Sequence, residues 1–298
     1  MKIAAITMVY RDYWALGQWY DHFSRHIGAQ NLFVIAHGAD PEIARICPQA
    51  SIITIPRDDL AGFDRTRGNM LNAFQNGLLQ LYDWVIRTDA DELICLDPAH
   101  YSGFEQFFDQ HPKARAVFSI GMDLFEKEDD PPFKGDMPLF SQRRAVCLTG
   151  HYSKAWAVSG RVALVRHGVQ VRPRKVQGFK FVLPRGVYLV HLKYANFAAL
   201  EKSNTHRIEI ANGDQKGLPG AMWKNAKADA QRFLRKSRAK MHEPWDQAID
   251  YVYDALAASP VREPAKGLVR VQSMNFEFRT TLPDWFANPQ NYIHKFQT

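Results

Sequence analysis

Residues 84–94 read Trp-Val-Ile-Arg-Thr-Asp-Ala-Asp-Glu-Leu-Ile, an apolar run ending in three carboxylates, Asp89, Asp91 and Glu92, within four positions. Like charges this close repel, so their crowding calls for a compensating cation. At the carboxyl end of a strand Asp89 and Asp91 can turn toward one centre, where a hard dication taking oxygen ligands neutralises them. Mg²⁺ or Mn²⁺ held in this way keeps positions open for phosphate oxygens, which makes a metal-bridged diphosphate the natural ligand. The plainer reading of a bare Asp-x-Asp triplet is a solvated acidic turn, and the setting decides between the two.

That setting is a succession of strands and helices. Lys2–Val9 reads as a buried strand, and Leu16, Trp19, Tyr20, Phe23 and Ile27 then recur at helical spacing. Asn31–Ala36 is a second short strand; the turn His37-Gly38-Ala39-Asp40-Pro41 leads into a short helix up to Ile46. Ser51–Ile55 is a third strand, Arg65–Leu81 a helix with Leu71, Phe74, Leu78 and Leu81 on one face, and Trp84–Thr88 the fourth strand. Such alternation predicts a mostly parallel sheet flanked by helices, with ligands beyond the carboxyl ends of its strands, here the loops after Val9, Ala36, Ile55 and Thr88.

Beyond residue 112 the pattern changes. Ala114–Ile120, Arg161–Val165 and Val187–Leu192 read as strands of a mixed extension. From Asn196 the chain turns helical, with Trp223, Ala226, Ala230 and Phe233 on one face and Trp245, Ile249, Val252, Tyr253 and Leu256 on another, while the last forty residues give no pattern. The expected division is an α/β domain over 1–195 and a mainly helical extension over 196–298.

A chain of 298 residues, 46% hydrophobic and 23% charged, buries a substantial core. Cys47, Cys95 and Cys147 fit neither a disulfide framework nor a metal or redox pair, which predicts a reducing, cytoplasmic setting. Arg11 and Asp12 interrupt the opening apolar run before a secretory leader could form, and no stretch approaches the ~20 apolar residues that span a bilayer. The net charge is +7, yet Met137–Leu200 holds eleven Lys and Arg and no Asp or Glu, which leaves 7 − 11 = −4 for the rest. Ordinary surfaces mix both signs. The segment therefore predicts an anionic partner: a phosphate-bearing substrate, an acidic glycan or a membrane surface. Nucleic acid is disfavoured, because no recognised binding motif accompanies the basic residues.

On these residues the first ~210 positions resemble a GT-A glycosyltransferase of the family 2 type, in particular the bacterial subgroup whose fourth strand ends in Asp-x-Asp-Glu. The resemblance implies a GT-A-like, Rossmann-like α/β fold with helical C-terminal additions. It also implies a nucleotide-diphosphate sugar donor, a UDP-sugar being favoured, and a Mn²⁺ or Mg²⁺ ion. In that family the first Asp of the motif, here Asp89, approaches the ribose or a metal-bound water, and the second, Asp91, ligates the metal. Asp40 matches the acidic residue of the family's Gly-Ser-x-Asp turn. Ala36-His37 replaces the family's uracil-reading Asp, which leaves the base open. Tyr10 and Arg11 occupy the first nucleotide-contact loop, Arg67 matches a basic residue beside the nucleotide, and His191 lies on a late strand whose His completes the metal site or touches the diphosphate. The implied acceptor is a glycan or lipid-linked hydroxyl in cell-surface polysaccharide or lipopolysaccharide assembly; a homodimer and a peripheral inner-membrane contact stay open.

For chemistry, Lys154, Arg143, Arg144 and Arg174 can neutralise a departing diphosphate, Lys154 foremost. An inverting transfer needs a carboxylate base, and Asp123 and Glu126 are the candidates after the strand Ala114–Ile120. Two other classes compete. A haloacid-dehalogenase-like phosphatase also uses Asp-x-Asp after a strand, but it expects Thr or Val where Leu93 stands and normally opens its domain with the motif. A non-catalytic glycan- or phospholipid-binding module would use the basic segment, with the acidic triplet as a plain calcium site.

Overall fold

The computed structural model describes residues 1–58, 60, 62–213, 221–258 and 260–287. Its first layer is a six-stranded sheet in the spatial order β3 (Ser51–Ile55), β2 (Leu32–His37), β1 (Ile3–Val9), β4 (Trp84–Arg87), β9 (Ala155–Val158) and β6 (Ala116–Phe118). Strands β1, β2, β3 and β4 are all mutually parallel. Between them run α1 (Tyr13–Ile27), α2 (Pro41–Ile46) and α3 (Phe63–Leu78). The fold is α/β and Rossmann-like, with helices flanking a mostly parallel sheet. All seven residues of β1 are buried, as suits a strand covered on both faces. Leu16, Trp19, Phe23 and Ile27 of α1 form the buried stripe that the helical spacing predicts.

The chain then leaves this sheet for a second one. Thr88–Asp91 carry it into β5 (Glu92–Leu96), followed by α4 (Phe104–Asp109). The apolar run expected as one strand over Ala114–Ile120 is broken at Ser119 into β6 (Ala116–Phe118), in the first sheet, and β7 (Ile120–Phe125), in the second. After α5 (Leu139–Gln142), β8 (Ala145–Thr149) belongs to the second sheet, and Gly150–Lys154 return the chain to β9 (Ala155–Val158) in the first, antiparallel to β4 and β6. Three crossings thus meet at one seam between the sheets.

Strands β10 (Ala163–Val165) and β11 (Gln170–Arg172) start a third, small antiparallel sheet, and β12 (Val187–Tyr194) lies in the second between β5 and β7. Helices α6 (Phe197–Ala211), α7 (Ala221–Lys224), α8 (Ala226–Ala239) and α9 (Trp245–Ala257) make the remainder mainly helical, as its periodicity predicts. It also supplies short strands that the pattern did not show. β13 (Met241–His242) and β16 (Phe278–Thr281) extend the second sheet beyond β8, while β14 (Val261–Glu263) and β15 (Leu268–Arg270) complete the third beside β11. Among the described residues no helix is long and apolar enough to cross a membrane. All three cysteines are free and buried.

Two contacts hold the seam. Trp19, fully buried on α1, donates its indole N–H to Thr88 Oγ1 at 2.9 Å, tying the helix to the first crossing. Gly121 of β7 lies so close to the third crossing that a Cβ there would stand 2.1 Å from the Tyr152 carbonyl carbon. Its own N–H is bonded to Ser153 Oγ at 2.8 Å. Only glycine permits this approach, so Gly121→Ala is expected to lower stability by about 1–3 kcal/mol or more in urea unfolding, because backbone rather than a flexible side chain must move.

A buried histidine gives the fold an acid sensitivity. His22 of α1 bonds the Ile94 carbonyl through Nε2 at 2.8 Å. Burial outweighs this bond and lowers its pKa to about 4. Between that value and the ~6.5 of an unfolded His, the unfolded chain binds more protons, so stability is full above about pH 6.5 and falls as pH drops through this window. His22→Gln should remove roughly 2–3 kcal/mol of the loss seen between pH 7 and pH 4 in denaturant titrations.

Candidate functional site

The seam gathers four carboxylates. Thr88–Asp91 place Asp89 and Asp91 beyond the carboxyl end of β4, Glu92 starts β5, and Asp123 lies on β7. Register brings their partner: His191 of β12 stands across from Glu92 on one side and Asp123 on the other. One oxygen from each of Asp89, Asp91 and Glu92 lies within 4.8 Å of the others.

Each carboxylate has a cation. Glu92 is fully buried and is ion-paired with Lys154 Nζ at 2.6 Å, and it accepts from the Asp89 N–H at 3.0 Å. Asp89 accepts from Arg67 at 2.7 Å and contacts His167 Nδ1 at 2.9 Å. Burial would raise the Asp89 pKa, but His167, Arg67 and Lys154 together hold it well below the usual carboxylate range. His191 donates from Nδ1 to Asp123 at 2.6 Å and from Nε2 to Asp91 at 3.2 Å. Burial disfavours its charge, yet Asp91 and Asp123 overcome this and push its pKa up to about 10, while His191 helps to bring Asp91 down to about 2. The Tyr152 ring stacks on His191 with centroids 4.0 Å apart, fixing the imidazole plane.

Of these groups Arg67, Asp89, Asp91, Tyr152, Lys154, His167 and His191 form the floor of a cleft of about 1140 Å³. The structure brings Tyr10, Arg11, Arg67, Asp89, Asp91, Lys154 and His191 together along it. Arg11 holds a left-handed backbone, φ 50°, at the end of the β1 loop. Tyr10 has the Arg57 guanidinium 3.3 Å over its ring and lies edge-on to His37 and His206. Burial, then the charges of Arg57 and Arg67, lower the His37 pKa to about 4, so its Nδ1 is neutral and accepts from Arg57 at 2.7 Å.

Other sequence candidates lie elsewhere. Asp40 caps α2, accepting from the Glu42 N–H at 3.0 Å and from the Tyr13 hydroxyl at 2.8 Å. Glu126 is bound to Arg143 at 3.0 Å and to the Phe197 N–H, which turns it toward α6 and away from the cleft. Asp123 lies behind His191, not at the cleft surface. Arg143 is fully buried and also donates to the Ala195 and Pro131 carbonyls; Arg144 binds the Leu282 carbonyl and Asp284. Both stabilise loops, and neither they nor Arg174 line the cleft. Lys154 is no solvated lysine: it is buried, and Glu92 balances its charge.

Sequence reasoning missed His167, Tyr152, His37, Arg57 and Arg207. His167 sits in a run of three left-handed residues, Arg166 at φ 47°, His167 at φ 58° and Gly168 at φ 91°. The Gly168 position would put a Cβ 2.1 Å from the Ala155 carbonyl oxygen, so the glycine presses the loop against β9 and aims His167 at Asp89. The only signal available in the chain was Arg-His-Gly within the acid-free segment.

The donor set suits a hard dication. Asp89 and Asp91 retain 27% and 18% side-chain exposure at the cleft floor, enough for an ion to reach oxygens that already converge. His191 would ligate only after losing its Nε2 proton, in which case Asp123 orients the ring as an outer partner. Asp123→Asn is accordingly expected to weaken Mn²⁺ binding about 10–100-fold by calorimetry.

No protein-family model and no curated protein matches the chain. Solved structures that align with it include a CMP:2-keto-3-deoxy-manno-octonic acid synthetase complexed with CTP, 12% identical over 79% of this chain and 86% of that one, TM-score 0.29. Others are a mannose-1-phosphate geranyltransferase from Thermus thermophilus, 12% identical over 95% and 74% with TM-score 0.28, and a UDP-glucose pyrophosphorylase complexed with UDP-glucose, 7% identical over 78% and 88% with TM-score 0.26. Likeness at this level carries no argument, so the functional reading rests on the site.

Proposed function

We propose that the protein is a metal-dependent glycosyltransferase of GT-A type that moves a sugar from a nucleotide-diphosphate donor to an acceptor hydroxyl. The observation that supports it is the pair of converging carboxylates, Asp89 and Asp91, beyond the carboxyl end of β4 and on the floor of a large cleft lined by cations. Open α/β sheets take nucleotides at this edge. A Mn²⁺ or Mg²⁺ ion held by Asp89 and Asp91, with His191 as a third ligand, would supply Lewis-acid stabilisation of a diphosphate.

The chain's own residues do the rest. Arg67 and His167 already face Asp89 and offer N–H donors where phosphate oxygens would lie, stabilising negative charge as the nucleoside diphosphate departs. Lys154 serves at one remove, holding Glu92 and, through it, the Asp89 backbone N–H. Tyr10, with Arg57 above its ring, is a flat surface for a base, and neutral His37 stands beside it. With Glu126 outside the cleft and Asp123 behind His191, the carboxylates that line the cleft besides the acidic tip are, among the described residues, Asp12, Asp64, Asp229 and Glu263. An inverting transfer would draw its base from these. The phosphatase reading fits less well, because three parallel strands precede the motif.

The test is a screen of UDP-, GDP-, ADP- and dTDP-sugars with and without Mn²⁺. At 100 times Kd the matching donor should stabilise the fold by about 2.7 kcal/mol, a rise of several °C in Tm, only with the metal present. Asp89→Ala and Asp91→Ala should each abolish the shift. No shift with any donor would contradict the reading.

A further inference from the structure

The two carboxylates of the cleft floor stand in different fields. The side chains that most favour the charged form of Asp89 are His167, Arg67 and Lys154, whereas for Asp91 they are His191 and Arg207. The first set is committed to carboxylates at 2.9, 2.7 and 2.6 Å. On the second side His191 is likewise shared between Asp91 and Asp123, but Arg207 has no carboxylate at ion-pair distance among the described residues. Lys193 follows His191 by two residues on β12, and both line the cleft. Arg207 projects from α6 on the face that also brings Ser203, His206 and Ile210 to the cleft.

Both cations are half-buried, and among the described residues neither has a carboxylate within ion-pair distance. Arg207 bonds the Asn204 side-chain oxygen, at 3.2 Å. The Lys193 ammonium faces the Tyr194 ring at 5.2 Å. Lys266 and Arg270, farther along the same cleft, share Glu263 at 2.6 and 3.1 Å. Two cations partly withdrawn from water on one cleft, with no carboxylate in contact with either, are stabilised by an anion arriving from outside. Trp223 lines the same wall, a flat apolar surface of the kind that sugar rings pack against.

We propose that Lys193 and Arg207 form a subsite for an oxyanion on the acceptor, so that the acceptor is an acidic or phosphorylated glycan rather than a neutral one. This rests on the glycosyltransferase reading and adds the acceptor's chemistry to it. Asp89 with its cations faces the leaving diphosphate, and the Asp91 side faces the incoming sugar. A carboxylate and a phosphate ester share the chemistry that this pair recognises.

The experiment is calorimetric titration of the full chain, with Mn²⁺ and with or without UDP, using methyl glycosides in matched neutral, uronate and 6-phosphate forms. The uronate or the phosphate should bind about ten-fold or more tightly than its neutral parent, and which of the two prevails identifies the anion. Lys193→Met and Arg207→Gln should each erase that preference, Lys193→Arg should keep it, and Mn²⁺-dependent UDP binding should persist in all three. No anionic preference in any matched set, or a preference that survives Lys193→Met combined with Arg207→Gln, overturns the subsite. Loss of UDP binding in the folded variants, checked by their Tm, also overturns it, by assigning the pair to the diphosphate. Absence of metal-dependent nucleotide binding in the unmodified protein would instead strike at the glycosyltransferase reading, while the glycoside titration without UDP still decides whether the anion is bound.

Discussion

Four carboxylates converge where two sheets meet, and they can coexist there only because each is matched by a cation. Lys154 takes Glu92, Arg67 and His167 take Asp89, and His191 is shared between Asp91 and Asp123. Buried pairs of this kind add little net stability, since desolvation offsets most of the attraction. They do forbid the alternatives: removing one partner leaves a charge stranded at a cost of about 3–5 kcal/mol. The arrangement is therefore a strong constraint on geometry and a weak one on overall stability.

The architecture explains why the charges meet. A single parallel sheet would carry its acidic tip into solvent. Here the chain crosses between sheets at 88–91, at Ser119 and at 150–154, so the tip of β4 lies against β7 and β12 of the neighbouring layer. Gly121 lets the third crossing approach and delivers Tyr152 and Lys154, while Gly168 presses the His167 loop onto β9. Asp89 and Asp91 keep partial exposure and face a cleft, whereas Glu92 and Asp123 are buried behind them. Two carboxylates face the cleft and two face inward to hold the cations in place.

Much of this was legible in the chain. β1 to β4 and α1 to α3 follow from period and burial, and Asp89 and Asp91 from their crowding at a strand end. The sheet switch was not, because residues 114–122 are nearly continuous in apolar character and Ser119 marks no turn by composition. With the switch unseen, Glu126 reads as a cleft residue, although Arg143 captures it. His167 escaped because its position depends on a left-handed backbone that no hydrophobic period encodes. The strands β13 to β16 are two to four residues long, too short for alternation to show.

The basic, acid-free segment also divides in three dimensions. Arg143 and Arg144 fasten loops, Lys154 neutralises the seam, and Lys193 stands in the cleft. Its excess of positive charge is thus partly internal and partly turned to the ligand.

Crystals soaked in MnCl₂ and UDP, with anomalous diffraction measured at the manganese edge, test the central claim most directly. The account predicts a strong peak between the carboxylates of Asp89 and Asp91, with diphosphate oxygens completing its shell on the Arg67 side. A seam without manganese, its carboxylates still held by Arg67, His167 and His191 while UDP binds elsewhere or not at all, would contradict it.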